Sequence, residues 1–117
     1  MDKFRPESFL PLTPVAFEIL LALAEGERHG YSILQEVDSR SGGAVSLHAG
    51  TLYRALGRME QMGLLRSHWE DPEIPARENR PGRRLYRLTA AGESAAREAI
   101  AADAAAARRV GRRLASA

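Results

Sequence analysis

Apolar residues recur at helical spacing in three successive segments of the first half of the chain. Thr13 and Pro14 are typical of an N-cap followed by a proline in the first helical turn, and they predict a helix over about 13–25. The same spacing predicts helices over about 30–41 and 49–62, each ended by glycine. The third helix is predicted to bury Leu52, Leu56 and Met59 as its apolar stripe.

After residue 63 the pattern changes to that of strands. Segments 64–70 and 83–88 are predicted strands, and the proline-rich, charged DPEIPARENRPG between them is predicted to be a hairpin tip. Thr89 can cap a last helix that runs from about Ala90 towards Leu114.

This order of elements predicts a mainly α fold with a two-stranded wing, a winged helix-turn-helix. We expect an N-terminal arm over 1–12, the winged helix-turn-helix domain over 13–88 and a C-terminal dimerisation helix over 89–117.

The third predicted helix opens with HAGTLYRAL and carries many hydrogen-bonding side chains on the face away from its apolar stripe. A recognition helix inserts such a face into the major groove, where arginine binds guanine with two hydrogen bonds. This face is predicted to consist of Thr51, Arg54, Ala55 and Arg58. The alternative is an ordinary solvated helix face.

Three residues at the start of this helix are predicted to meet DNA phosphates. Gly50 lets the backbone approach a phosphate closely, and the free amides of the helix N-terminus favour an anion there. His48 and Tyr53 can add phosphate contacts at the rim. For Tyr53 the alternative stays open that its ring packs in the core with only the hydroxyl at the surface.

The net charge of the 117 residues is only +2, but residues 77–117 contain ten arginines and four acidic residues, a net charge of +6. Such an asymmetry indicates a basic surface that meets an anion. In the wing we expect Arg80, Arg83 and Arg84 to contact DNA, and we favour Arg80 and Arg83 over Arg77 because Glu78 partly offsets Arg77. The alternative is a solvated loop. Trp69 is predicted to pack against the body of the domain.

The last predicted helix carries a narrow apolar seam of mainly small residues, which allows two helices to approach closely. Together with the apolar first helix it predicts a dimer; a tail folded back on its own monomer is the alternative. The predicted interface consists of Leu20, Ala96, Ile100, Ala104, Ala107, Val110 and Leu114.

Other chemistry finds no support in the sequence. There is no cysteine, and the three histidines have no metal-binding spacing, so we expect no metal site. No catalytic or phosphate-binding motif occurs, so we expect neither an enzyme nor a cofactor. Without a signal peptide or a long apolar run, the protein is predicted to be cytoplasmic.

Three stretches, LTPVAFEILLALAEGERHGYSILQEV, GTLYRALGRMEQMGLL and RRLYRLTAAG, resemble the PadR family of bacterial transcriptional regulators over residues 12–92. The resemblance implies a homodimer that binds a pseudo-palindromic operator, usually as a repressor. It also implies DNA contacts from the wing and from Tyr31, Thr51, Tyr53 and Arg54.

The single last helix is similar to that of short-tailed members of the family. Some of these bind flat aromatic drugs between tryptophans of the last helix, whereas the last helix here has no aromatic residue. A multidrug site is therefore disfavoured, and a small-molecule effector is left open. The alternatives to a DNA-binding regulator are a winged helix that docks on proteins and a dimer whose main role is ligand sensing.

Overall fold

The computed structural model describes the backbone of residues 13–116 and the side chains of residues 13–103, so the predicted arm over 1–12 lies outside the described residues. The elements follow the predicted order with two additions, the short strand β1 and the short helix α4. In chain order they are α1 (Pro14–Ala24), β1 (Arg28–His29), α2 (Gly30–Ser41), α3 (Ala49–Gln61), β2 (Leu65–Trp69), α4 (Glu73–Glu78), β3 (Arg84–Leu88) and α5 (Ala90–Ser116).

Local signals set the helix ends. The Thr13 hydroxyl accepts a hydrogen bond from the amide of Ala16 at 3.1 Å, as expected of an N-cap. Gly42 ends α2 in the left-handed conformation, with φ of 62°, where a side chain would be strained. These boundaries hold α2 and α3 as separate helices joined by the segment 42–48.

The core lies where α1, α2 and α3 meet the sheet. The apolar stripe predicted for α3 is buried there, as expected. Leu20 of α1 is also completely buried within the single chain. A side chain that its own chain already covers has no surface left for a second copy, so the assignment of Leu20 to a dimer interface is wrong. The largest fully buried side chains are those of Ile19, Leu20, Ile33, Val37, Leu52, Leu56, Leu64 and Leu65.

The sheet is antiparallel, with the strand order β1-β3-β2. Strands β2 and β3, with the segment 70–83 between them, form the wing. Strand β1 was not predicted because two residues are too few to show a period; it pairs Arg28 with Tyr86 and His29 with Leu85. This pairing fixes the wing to the start of α2.

The wing tip contains a helical turn, α4, where only a hairpin loop was predicted. Its two prolines, Pro72 and Pro75, occupy the N-cap and the first turn. Proline is tolerated there because those backbone amides have no partner within the helix. The amide of Glu73 donates instead to the Asp71 carboxylate at 3.0 Å.

Helix α5 begins at a tight junction with the wing. The Thr89 hydroxyl donates to the carbonyl of Gly63 at 2.6 Å and accepts from the amide of Gly92 at 3.1 Å. The first turns of α5 pack on the core, and Ala96 is buried within the chain, so it too is unavailable to a second copy. Over the part of the chain that the structure describes, no helix is long and apolar enough to cross a membrane.

Candidate nucleic-acid interface

Helix α3 presents two exposed arginines, Arg54 and Arg58, on the side opposite its buried stripe. Thr51 and Ala55, predicted on the same face, are half-buried. The Arg54 guanidinium donates to the Thr51 hydroxyl at 3.4 Å, a weak contact that leaves most of its donors directed outward. The helix therefore offers a face with two cations at a spacing of about one turn.

The N-terminus of α3 is open to an external anion. His48 is exposed and occupies the N-cap position, but its side chain makes no capping hydrogen bond, and no acidic residue lies in the first turn. A Cβ atom added at Gly50 would meet only the Arg54 guanidinium, at the ordinary distance of 3.6 Å. Packing within the chain does not require glycine at this position.

Tyr53 lies over the first residue of α2, so its ring packs against the chain, and its contact with a phosphate stays a prediction. Its phenol ring covers Gly30, which is buried, while about half of the tyrosine remains exposed. A Cβ atom at Gly30 would overlap the Tyr53 hydroxyl and lie 2.8 Å from Cζ, so no side chain fits there without moving the ring. The adjacent Tyr31 is largely exposed. Tyr53 thus packs the start of α3 against the start of α2, and Tyr31 lies on the same surface.

A cleft of about 380 Å³ separates this surface from the base of the wing, and we call it the wing cleft. Arginines line the cleft and make it basic. Burial lowers the pKa of His29 there, and the positive charges of Arg83 and Arg80 lower it further. Burial and the neighbouring arginines thus both favour the neutral form of His29. The lining includes His29, Gly30, Tyr31, Tyr53, Arg83 and Arg84.

Arg80 has a different position from the one predicted. Its guanidinium donates to both carboxylate oxygens of Glu70, at 2.6 and 3.1 Å, and to Glu78 at 2.7 Å. Glu78 thus pairs with Arg80, although the sequence suggested Arg77. Because two carboxylates hold this guanidinium, Arg80 is a structural residue of the wing, and its assignment as a DNA contact is withdrawn.

Sequence reasoning missed Glu70, which organises the wing base. Its side chain is only 7% exposed, and it also accepts the amide of Arg83 at 2.9 Å. The hydrogen bond from Arg80, and then that from the Arg83 amide, lowers the pKa of Glu70. The available signal was a lone acidic residue at the end of a predicted strand, which is too common to single out. Arg83 and Arg84 themselves are exposed, as expected.

Trp69 contradicts the expectation that it packs against the body, since it is 64% exposed. It is the last residue of β2 and pairs with Arg84 of β3. The Arg84 guanidinium carbon lies 5.7 Å from the centre of the indole ring. The ring therefore packs beneath an arginine at the end of β2 that leads into the segment 70–83.

Ile100, the remaining predicted interface residue with a described side chain, is 44% exposed on α5. It borders a shallow cleft of about 350 Å³ together with Phe17 and Leu21 of α1. Three charged residues, Glu18, Arg40 and Asp103, complete the lining of this cleft. The other predicted seam residues, Ala104, Ala107, Val110 and Leu114, have side chains outside the described residues.

Residues 19–98 match the family model of the transcriptional regulator PadR-like family. This chain belongs to the PadR-like family. An uncharacterised protein from Lysinibacillus sphaericus is 28% identical over 76 residues, which span 65% of each chain. Its matched length thus covers somewhat less than two thirds of that relative.

Solved structures of PadR family proteins share the fold of this PadR-like chain. A PadR family transcription regulator from Clostridium difficile R20291 superposes with a TM-score of 0.68 at 24% identity, covering 87% of this chain and 98% of that one. Bacillus subtilis PadR in complex with operator DNA gives a TM-score of 0.62 at 20% identity, covering 75% of this chain and 47% of that one. The predicted winged helix-turn-helix fold is confirmed.

Proposed function

We propose that this PadR family regulator binds operator DNA by placing α3 in the major groove and the wing against the flanking backbone. The observation that carries the proposal is the exposure of Arg54 and Arg58 on α3, next to the basic wing cleft with Tyr31 and Arg83. Arg54 and Arg58 read the edges of the bases, and Tyr31 and Arg83 of the wing cleft hold the phosphates. The relative from Bacillus subtilis, solved with operator DNA, supports this use of the fold.

The proposal assigns separate tasks to the remaining predicted residues. Thr51 orients Arg54, and His48 and Gly50 bring the N-terminal amides of α3 towards a phosphate. Tyr53 contributes through its exposed half, and Arg84 contacts the backbone from the wing.

The regulator is proposed to act as a cytoplasmic homodimer that represses transcription from a pseudo-palindromic operator. Exposed Ile100, beside Phe17 and Leu21, supports a dimer contact between α1 and α5 of two copies. A two-fold axis there would set two α3 helices on successive major grooves, about 34 Å apart.

A gel-shift titration tests the proposal, using the DNA upstream of the protein's own gene and unrelated DNA as competitor at two salt concentrations. We expect a discrete shift that resists the competitor and weakens steeply with salt, because bound arginines release counterions from the phosphates. Arg54→Ala should flatten the preference over competitor. An affinity that hardly changes with salt, or no preference in any upstream fragment, would contradict the proposal and favour a protein-docking winged helix.

Ligand sensing is a second candidate function, favoured by one observation. One carboxylate oxygen of Glu18, on the helix that lines the cleft beside Ile100, is buried with no hydrogen-bond partner among the described residues. A half-buried carboxylate with one unpartnered oxygen beside apolar side chains suits an amphipathic organic cation. A thermal-shift screen of such cations against the wild type and Glu18→Gln tests this; stabilisation that survives the substitution would argue against it.

A further inference from the structure

In the part of the chain that the structure describes, the Trp69 ring contacts Arg84 of the wing and is otherwise largely exposed. It is the only tryptophan of the chain, and it lies exposed at the outer end of β2. Tryptophan has a large apolar ring and is enriched where proteins bind partners rather than at ordinary surface positions. Its surroundings indicate which partner it fits.

The strand register places Trp69 on the side of the wing that faces α3. Residues directly opposite each other on antiparallel strands share a face of the sheet, and here Ser67 is opposite Tyr86 and Trp69 opposite Arg84. Ser67 donates to Glu60 of α3 at 2.8 Å, so this face is the one packed against the recognition helix. Trp69 continues that face about 7 Å further out and is largely exposed there.

The Arg84 side chain is held in place on the same face. Its Nε atom donates to the Ser67 hydroxyl at 2.9 Å, and its guanidinium lies over the Trp69 ring. A connected series of contacts therefore runs from Glu60 through Ser67 and Arg84 to Trp69. An arginine held over an aromatic ring retains outward N–H donors and loses little conformational entropy when it binds an anion.

A fixed cation beside an exposed apolar ring matches the chemistry of a nucleic-acid backbone. Each nucleotide offers a phosphate anion next to the apolar face of a deoxyribose. The surroundings are basic as well, because Arg83 and Arg84 also line the wing cleft. Charge complementarity thus favours a polyanion over an apolar or cationic protein surface.

We propose that the Trp69–Arg84 pair holds the DNA strand that runs between the major groove occupied by α3 and the wing. Trp69 packs against a deoxyribose, and Arg84 binds the neighbouring phosphate. This inference rests on the proposed DNA-binding function and adds a contact that is independent of base sequence. Ser67 is a positioning residue that acts through Arg84.

The single tryptophan makes a direct test possible, because all indole fluorescence of the wild type comes from Trp69. A short duplex with an end label reports binding by anisotropy, while acrylamide quenching of the tryptophan reports its exposure in the same sample. At low salt any duplex serves, since the contact is to the backbone. We expect quenching by acrylamide to fall as the anisotropy rises.

The outcomes separate this inference from the function on which it rests. Binding by anisotropy with unchanged quenching of Trp69 would overturn the inference and leave the DNA-binding function intact. No binding to any duplex, specific or unrelated, would overturn both. Protection of Trp69 by an acidic protein but not by DNA would assign the pair to a protein partner, and would also overturn the inference.

Substitutions extend the test. Trp69→Ala should raise Kd about tenfold on every duplex, because the apolar area that the ring buries against the deoxyribose is lost, without changing the salt dependence. Arg84→Ala should instead reduce the slope of log K against log salt by about one. Arg66→Ala is the matched control, because Arg66 is an exposed arginine of β2 on the opposite face of the sheet.

Two further variants separate position from charge. Ser67→Ala should weaken binding and Ser67→Thr, which keeps the hydroxyl, should restore it. If Arg66→Ala and Arg84→Ala changed affinity and slope equally, only overall charge would matter and the assigned contact would be wrong. Circular dichroism and thermal melting check that each variant is folded, which the exposure of Trp69 and Arg84 leads us to expect.

Discussion

Glu70 and Arg80 face each other across the base of the wing, with both carboxylate oxygens accepting from the guanidinium at 2.6 and 3.1 Å. The same carboxylate accepts the amide of Arg83, and the Glu70 amide donates to the Arg83 carbonyl at 2.9 Å. One acidic side chain therefore fixes both ends of the segment 70–83. The orientation of the exposed wing arginines depends on it.

Glu70→Gln should reduce the preference for operator over unrelated DNA. The glutamine side chain has only one acceptor oxygen and cannot pair with both donors of Arg80, so the wing loosens. The loss of the negative charge also strengthens the attraction to any DNA. We expect the ratio of the two Kd values to fall several-fold. Glu78→Gln removes the same charge from the wing with only one contact to Arg80. Equal ratios for the two variants would show that charge alone is responsible.

Arg54→Ala should cost about 1–3 kcal/mol of binding free energy on the operator and flatten the sequence preference, because a bidentate base contact is lost. Arg83→Ala should weaken binding to all duplexes alike and lower the salt slope by about one. Competition titrations against operators with single base changes distinguish the two. Uniform weakening by Arg54→Ala would identify Arg54 as a phosphate contact instead.

Gly92→Ala should destabilise the fold by about 1–3 kcal/mol, as overpacking does. The added Cβ would overlap the backbone carbonyl of Leu64, which the Thr89 amide holds in place. Gly57→Ala is the contrasting variant, because nothing lies within 4 Å of a Cβ there. It should stabilise α3 by about 0.5–1 kcal/mol. Urea denaturation measures both, and a neutral Gly92→Ala would show that the start of α5 can shift.

The contact between His68 and Glu27 should make stability depend on pH. The hydrogen bond to Glu27, and then that to the Trp69 carbonyl, raises the pKa of His68 above its usual value, while Arg87 opposes the shift. Below about pH 6.5 the imidazole is protonated in both folded and unfolded chains, so the charged pair contributes fully. The contribution is lost as pH rises through the raised folded-state pKa.

The measurement is the difference in unfolding free energy between the wild type and Glu27→Gln. It should be largest below the usual histidine pKa of about 6.5 and shrink as pH rises through the raised folded-state pKa, because the unprotonated imidazole keeps only a neutral hydrogen bond. His29, whose pKa is lowered, acts in the opposite direction below about pH 6.5 but is common to both proteins, so it cancels. A difference that stays constant over this range would show that the pair is not charged.

Ile100→Glu should dissociate the proposed homodimer, since an apolar contact would become a buried charge. Sedimentation velocity would then show a monomer, and operator affinity would fall with it. Ala102→Glu provides the control, because Ala102 is exposed on the other side of α5. A monomeric wild type, or a dimer unaffected by Ile100→Glu, would place the interface elsewhere.

The sequence predicted those features that repeat along the chain, and it missed those that depend on distant pairs. The period of Leu52, Leu56 and Met59 located α3 and its exposed face, because burial of one face imposes that spacing. The Glu70–Arg80 contact joins residues ten positions apart in the chain. The path of the segment between them determines which arginine reaches Glu70. No local rule decides between Arg77 and Arg80 as the partner of Glu78.

The exposure of Trp69 could not be predicted from local sequence either. Alternation along β2 assigns a face to each residue, but not how far the body extends beneath that face. Ser67 contacts Glu60 of α3, whereas Trp69, two positions further along the same face, is largely exposed.

The overlap between the Tyr53 phenol and the space above Gly30 links two positions that lie 23 residues apart in the chain. A change that adds a side chain at position 30 displaces the ring, and a smaller residue at position 53 leaves a gap above the first turn of α2. Related sequences should therefore vary at the two positions together. Glycine at position 30 and a large aromatic residue at position 53 therefore depend on each other, and a change at one position favours a change at the other.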